Sequence, residues 1–559
     1  MNSLITFFLF FSTLYSQVNI TNELEIRYGD SANDYNYNEL IFDTRISLFK
    51  PNYMIEGILS FERSNPPEIG LDERGLRKYL IGYYKENWSL EFGDIYQTWG
   101  RGLILNQLDY QNLDFDTGAE GVGFKFSKPN LSVNLIVGDL ALSKSTTSHS
   151  GYNPRIPNYF IDQFIYGADF NHFINGFNYG LSILAVEENS QDINHNLSNF
   201  RIGKGYSAGD IFLSLIRKDS KKDNFDQNKQ GSGFYLSNTN YLSNWSITTS
   251  YRSMKIDIND PLSRDNLSEN FGNALDIQRS PTGYYLHTFR LLSRTTQEVN
   301  LNDEVGLEFQ VSGPLNSNNF VAINFMKSSS TKQWYQILDG EWAGKENSFF
   351  PTSDNSAYPF EEIYLEFSGY SKNGNIYYKT GIDFQNEVFN VLSNSSENKS
   401  YEINKSQTVP LLLSFNTGSK WSYEMQLEYQ KLKTGFKNII ISDVVGIDDL
   451  YSFHSLLSEK YQINKFISFS TNFDQKWTFN FLVETTNADE SKLNNDSSEN
   501  FDSSNSWKSF GVSYKFDTDD TLQVFYGSVR GGLDCTNGVC RYIQSFDDGL
   551  RIDYTSNLN

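Results

Sequence analysis

From Asn19 to the end, the chain repeats one pattern: a run of about ten residues alternating apolar and polar, then a cluster of turn formers. Leu24, Ile26 and Tyr28 interleave with Glu23, Glu25 and Arg27, and Leu40, Phe42, Ile46 and Leu48 with Asp43, Arg45 and Ser47. Val133, Leu135 and Val137 run against Ser132 and Asn134, and Leu307, Phe309 and Val311 against Glu308 and Gln310. The pattern returns in Met425, Leu427 and Tyr429 opposite Gln426 and Glu428, and in Val512 and Tyr514 opposite Ser513 and Lys515. Successive side chains of a strand point to opposite faces, so each segment has one apolar and one polar face. No helical periodicity of useful length accompanies it.

The connections carry the second constraint. Tight ones at Pro51-Asn52, Glu86-Asn87, Pro129-Asn130 and Asn175-Gly176 alternate with long ones near 64–74, 98–117, 140–162 and 188–196. A soluble sandwich has no reason to sort its loops by parity. An outer-membrane barrel does, with short turns at one rim and long loops at the other. Beyond about residue 296 the alternation is harder to follow, and Asn375–Leu392 and Tyr451–Phe473 each read equally as one long strand or a hairpin. The expectation is an all-β fold: a large antiparallel transmembrane β-barrel of roughly 22–26 strands with an inward-folded loop, in the bacterial outer membrane.

Composition agrees where it can discriminate. A mean hydropathy of -0.49 suits a soluble protein, but also a barrel, because only alternate strand residues meet lipid. Aromatics at 16%, including 35 tyrosines, suit interfacial girdles. A formal charge of -22 argues against nucleic acid as a partner, since phosphates need a basic face. Leu4 to Leu14 is apolar but too short to span a bilayer as a helix, and polar residues follow. Residues 1–16 therefore read as a signal peptide, cut near Ser16–Gln17, and residues 17–559 as the barrel.

One connection is unlike the rest. Gly93, Gly100 and Gly102 permit sharp bends, and Trp99, Leu103, Ile104, Leu105 and Leu108 are too apolar for a solvated loop. Arg101 stands between two glycines, with Asp94, Asp109, Asp114, Asp116 and Glu120 within reach in sequence. The expectation is that 98–117 folds into the lumen as a constriction or plug, with Arg101 paired to one of those carboxylates. The stretch from Lys332 to Pro359, with Trp334, Trp342, Phe349 and Phe350, is aromatic enough to fold over or into the lumen or to touch sugar rings.

Catalytic machinery is not apparent. His149, His172, His195, His287 and His454 are scattered with no pair at metal-ligand spacing, and there is no nucleophile elbow or phosphate-binding loop. No enzyme activity, metal or cofactor is expected from spacing. The two cysteines flank Thr536-Asn537-Gly538-Val539, and Asn-Gly marks a two-residue hairpin turn. That places Cys535 opposite Cys540 at disulfide range, as an exported protein allows.

The segments GDIYQTWGRGL and RGGLDCTNGVCR, through Gly93, Asp94, Tyr96, Gly100, Arg101, Gly102 and Leu103 and through Arg530, Gly531, Gly532, Leu533, Cys535, Gly538, Cys540 and Arg541, resemble an uncharacterised family of exported bacterial β-barrel proteins. The resemblance implies a barrel in the outer membrane and no particular substrate. The functional expectation is a pore or transport protein partly occluded by inward loops, with outer-membrane lipid around it and small solutes as cargo. The alternative is a structural or surface-binding protein whose loops hold polysaccharide or an envelope partner.

Overall fold

A computed structural model of the chain describes residues 17–30, 36–64, 74–110, 115–142, 161–189, 192–223, 228–260, 271–279, 287–297, 299–338, 341–346, 349–394, 399–418, 420–437, 461–487, 505–516, 520–536, 539–543 and 545–558. Residues 1–16, read as a signal peptide, lie outside the described residues.

Twenty-four antiparallel strands form one closed sheet. Each pairs with its neighbour in chain order, and the ring closes where the first strand, Gln17–Asp30, pairs with the last, Phe546–Leu558, as well as with Asn36–Lys50. Beyond residue 296 short connections at 315–318, 371–375 and 474–476 alternate with long ones at 330–359, 438–461 and 530–545, except that Ile376–Asn394 and Lys399–Asn416 are joined by a short one where a long one is due. Ile376–Asn394 is a single strand of 19 residues, not a hairpin. Gln462–Phe473 is likewise one strand, and residues 451–460 lie outside the description. The connection expected to be long near 188–196 spans only residues 189–192.

The alternation sorts as a barrel requires. Leu135, Val137, Phe309, Phe481 and Phe510 are exposed on the outer wall, whereas Glu308 and Glu428 are buried inside and Asn134 bonds Asp169 at 3.3 Å. Period two thus turns the sequence into an apolar exterior and a polar, charged interior. Among the described residues no helix is long and apolar enough to cross a membrane.

The interior is not empty. Ile136, Leu140, Ile165, Leu184, Val186, Leu197, Ile216 and Met254 project inward from the wall and pack with Trp99, Leu103, Ile104 and Leu105, and with Leu275 and Ile277 from the connection 256–303. A barrel this wide cannot fill its lumen with strand side chains alone. Here two inward segments supply the missing apolar surface.

Candidate functional site

The first inward segment is 96–118. Trp99 is 1% exposed, and Leu103, Ile104 and Leu105 are fully buried. Trp99 donates its indole N–H to Gln97 Oε1 at 2.9 Å, satisfying the one polar atom it buries. Gly100, Arg101 and Gly102 all have positive φ, at 57°, 56° and 85°. A Cβ on Gly100 would stand 2.7 Å from Asn199 Oδ1 and 2.9 Å from Arg201 Nη1, so the glycine is set by close approach to the wall as well as by conformation. Arg101 accepts a left-handed geometry that non-glycine residues rarely adopt, and this turns its side chain along the inner wall.

Arg101 lies inside the barrel, but its partner is not a carboxylate. Its Nη1 donates to Ser237 Oγ at 2.9 Å, and its guanidinium lies 3.9 Å from the centroid of the Phe212 ring. The carboxylates find their cations on the neighbouring strand Arg74–Lys85 instead. Lys78 Nζ is 2.5 Å from Asp109 and 2.6 Å from Asp116, and Arg77 reaches Asp109 at 3.4 Å and Glu62 at 3.5 Å. Asp116 also accepts from the Tyr96 hydroxyl at 3.0 Å and from the Gly118 N–H at 2.8 Å. Asp94 accepts from the Tyr79 N–H at 2.7 Å, and Glu120 from the Tyr79 hydroxyl at 2.9 Å. Asp114 lies outside the described residues. The expected Arg–carboxylate bond fails because strands pair in register: Lys78 and Arg77 hang from a wall that the acidic segment crosses, whereas Gly100 and Gly102 aim Arg101 at the opposite wall.

The second inward segment is the connection 256–303. It meets the first through backbone hydrogen bonds, Arg279 N–H to Gly102 O at 2.8 Å and Asn106 N–H to Ile277 O at 2.7 Å, and through Gln278 Nε2 to Leu103 O at 3.2 Å. Lys218, fully buried on one wall, donates to Gly272 O at 3.1 Å. Its next described residues, 287–297, lie at the far wall. There the Glu428 carboxylate accepts the N–H groups of Arg290 and Leu291 at 2.8 Å each, at the start of the one-turn helix Arg290–Ser293. Those N–H groups have no partner within the helix, and an anion there is favourable.

Glu484, 1% exposed at its side chain, is the other anchor. It takes Arg290 at 3.0 Å, Arg294 at 3.4 Å and Arg530 at 3.1 Å. Arg294 also donates to Gly531 O at 2.6 Å and Arg530 O at 3.0 Å. The late Arg-Gly-Gly segment is thereby tied to the lumen-crossing one. Beyond it, Cys535 and Cys540 face each other in the two-stranded ribbon Gly532–Thr536 and Val539–Ile543; their side chains lie outside the described residues.

The aromatic stretch divides. Lys332–Leu338 pairs with Glu341–Glu346, and Trp334 is buried. Phe349 and Phe350 do not enter the lumen: they fold over the outer wall, where Phe349 stacks on Tyr251 at 4.7 Å and both remain exposed. Trp334 and Tyr358 border a polar pocket with Asn259, Asn273, Asn300, Asn302 and Asp303 at the long-loop end. On the other side of the first inward segment, a cavity is lined by Glu23, Asp43, Arg45, Lys78, Asp94 and Asp109, and next to it another by Glu25, Arg551 and Asp553. Apart from Asp94 and the inward segment's Asp109, these are inner-face residues of the strands at and near the ring's closure, so among the described residues the lumen is packed on one side and hollow and largely acidic on the other.

Among solved structures, the siderophore receptor PirA from Pseudomonas aeruginosa matches at 7% identity and a TM-score of 0.44, over 97% of this chain and 80% of that one. The copper transporter OprC matches at 6% and 0.49, over 97% and 80%. OccK3 (OpdO) from Pseudomonas aeruginosa matches at 9% and 0.39, over 72% and 98%. At those values the likeness says nothing of cargo, and the barrel stands on its own strand pairing. No curated protein sequence matches the chain. The model of one family matches residues 32–558, nearly the whole barrel, and the chain belongs to that family of unknown function, DUF6029.

Proposed function

We propose that this protein is a plugged channel of the bacterial outer membrane, passing cations or small neutral solutes along the hollow side of its lumen. The observation that carries the reading is the course of segment 256–303. Its described residues reach Lys218 on one wall and Glu484 on another and, with 96–118, border a gap beside the closing strands. Glu23, Glu25, Asp43 and Asp553 line that gap, and rings of carboxylates favour cations over anions. The apolar outer face suits lipid, and exposed Phe349 and Phe350 suit a rim where aromatics anchor.

The test is conductance of refolded protein in planar bilayers. The wild type should give small, cation-selective events, and Glu484→Gln, which loosens the lumen-crossing segment, should give larger ones. Silence from both, with heat-modifiable migration showing that each is folded, would overturn the channel reading. A second reading, a surface binder of polysaccharide, is favoured by the pocket of amide and carboxylate side chains beside Trp334 and Tyr358. Retention on immobilised neutral glycans, lost in Trp334→Ala, would support it.

A further inference from the structure

We propose that His287, Glu362 and Asp383 form a divalent-cation site that fastens the lumen-crossing segment to the barrel wall. One ligating atom from each residue lies within 4.8 Å of the others. His287 belongs to the inward segment; Glu362 and Asp383 sit on the paired strands Phe360–Tyr370 and Ile376–Asn394. Glu362 is directly opposite Gln385, so Asp383, two residues away, shares its inner face as a diagonal neighbour.

The site has the marks of a built ligand set. Asp383 is fully buried, and among the described residues no N–H or hydroxyl donates to either of its carboxylate oxygens, whose near neighbour is the Glu362 carboxyl. Thr408, opposite it on the next strand, instead accepts from Gln430 Nε2 at 3.1 Å. Two buried carboxylates side by side without a cation are unfavourable, and a divalent ion neutralises the pair. Lys379 does not supply that charge, since its ammonium is held by Glu366 at 3.0 Å.

The surroundings orient the ligands. The His287 ring stands perpendicular to Tyr364, centroids 4.6 Å apart, and its Nε2 is 2.7 Å from Glu362 Oε1. Gln385 Nε2 donates to that same oxygen at 3.1 Å, a bond of the kind that fixes a ligating carboxylate. Ligation needs the imidazole to offer its Nε2 lone pair to the ion in place of that contact. One imidazole nitrogen and two carboxylate oxygens suit zinc or manganese better than calcium, which takes oxygen ligands alone.

The test uses full-length protein in detergent, stripped with chelator and titrated with zinc and, separately, with manganese. Bound metal after desalting should reach one equivalent per chain and raise the thermal midpoint. Asp383→Asn and His287→Gln, shown folded by heat-modifiable migration, should bind at least tenfold more weakly and lose the metal-dependent rise. Absence of binding by the wild type, or equal binding by the variants, overturns the site. So does a wild type indifferent to metal whose midpoint is raised by Asp383→Asn alone, the signature of two carboxyls sharing a proton. No readout depends on conductance, so the site and the channel reading fail separately.

Discussion

Arg530 donates from Nη1 to Glu484 Oε1 across 3.1 Å, joining the residue that opens the last long loop to the inner face of the strand Trp477–Thr486. The other carboxylate oxygen takes Arg290 at 3.0 Å, so one anion holds both the second inward segment and the start of the last long loop against the wall. Three guanidinium groups around one buried carboxylate make it the least replaceable residue of the plug. Glu484→Gln should lower stability by about 3–5 kcal/mol, the cost of leaving buried charges unpaired. Denaturant melts in detergent measure that loss. Hydrogen exchange should speed up at residues 287–297 before it does in the strands, and unchanged exchange there would show that the anchor is not Glu484.

Arg101 and Lys78 should rank in the opposite order to the one their sequence context suggests. Arg101→Ala removes a bond to a hydroxyl and a contact with an aromatic face, at about 0.5–2 kcal/mol. Lys78→Met strips both Asp109 and Asp116 of their shortest ion pair and should cost about 3–5 kcal/mol. Parallel melts of the two variants decide it; a larger loss for Arg101→Ala would reverse the assignment.

The same cluster should respond to acid. Burial pushes the Asp116 carboxyl up, but Lys78 beside it, with the Gly118 N–H, holds it below its usual 3.8. A depressed carboxyl adds stability above its unfolded value and loses it as pH falls through the folded one. The grip on segment 96–118 should therefore be intact at neutral pH and weaken only below about pH 3.8. Tyrosine and tryptophan fluorescence of wild type against Asp116→Asn follows it: the acid transition should be reduced in the variant.

The two faces of the wall can be told apart in liposomes. Glu23→Cys, on the hollow side of the lumen, should react readily with a water-soluble maleimide, whereas Leu135→Cys and Phe309→Cys should be protected by lipid. The reverse pattern would mean that the barrel is inside out relative to this assignment.

Cys535 and Cys540, opposite each other in the ribbon after Arg530, should be joined in the mature exported protein. Peptides recovered without reduction should carry the bridge. The loop it closes is short, so reduction should cost little global stability, at the low end of roughly 0–5 kcal/mol.

What the sequence disclosed follows from period and distance. Leu135 and Asn134 declare their faces because a strand repeats every two residues, and the inward turn declares itself because Trp99, Leu103, Ile104 and Leu105 cannot all sit in water. Arg101 was misassigned because nearness in the chain stood in for nearness across strands: Lys78 meets Asp116 only through strand pairing. The larger plug segment did carry a signal in Phe289, Leu291 and Leu292, three apolar residues that flank Arg290 and precede Arg294 in a polar connection. The grouping of His287 with Glu362 and Asp383 carried none, since its members are 75 residues apart and then on adjacent strands.

The pairing of Gln17–Asp30 with Phe546–Leu558 has a consequence for biogenesis. Until the final strand arrives, both margins of a 23-strand sheet offer unpaired N–H and C=O groups to any other extended chain. The plug draws on residues from Gly102 to Arg530, so it too is incomplete until Arg530 has been made. Folding is therefore expected to be slow, dominated by contacts between distant parts of the chain, with two open edges exposed to mispairing until the ring closes.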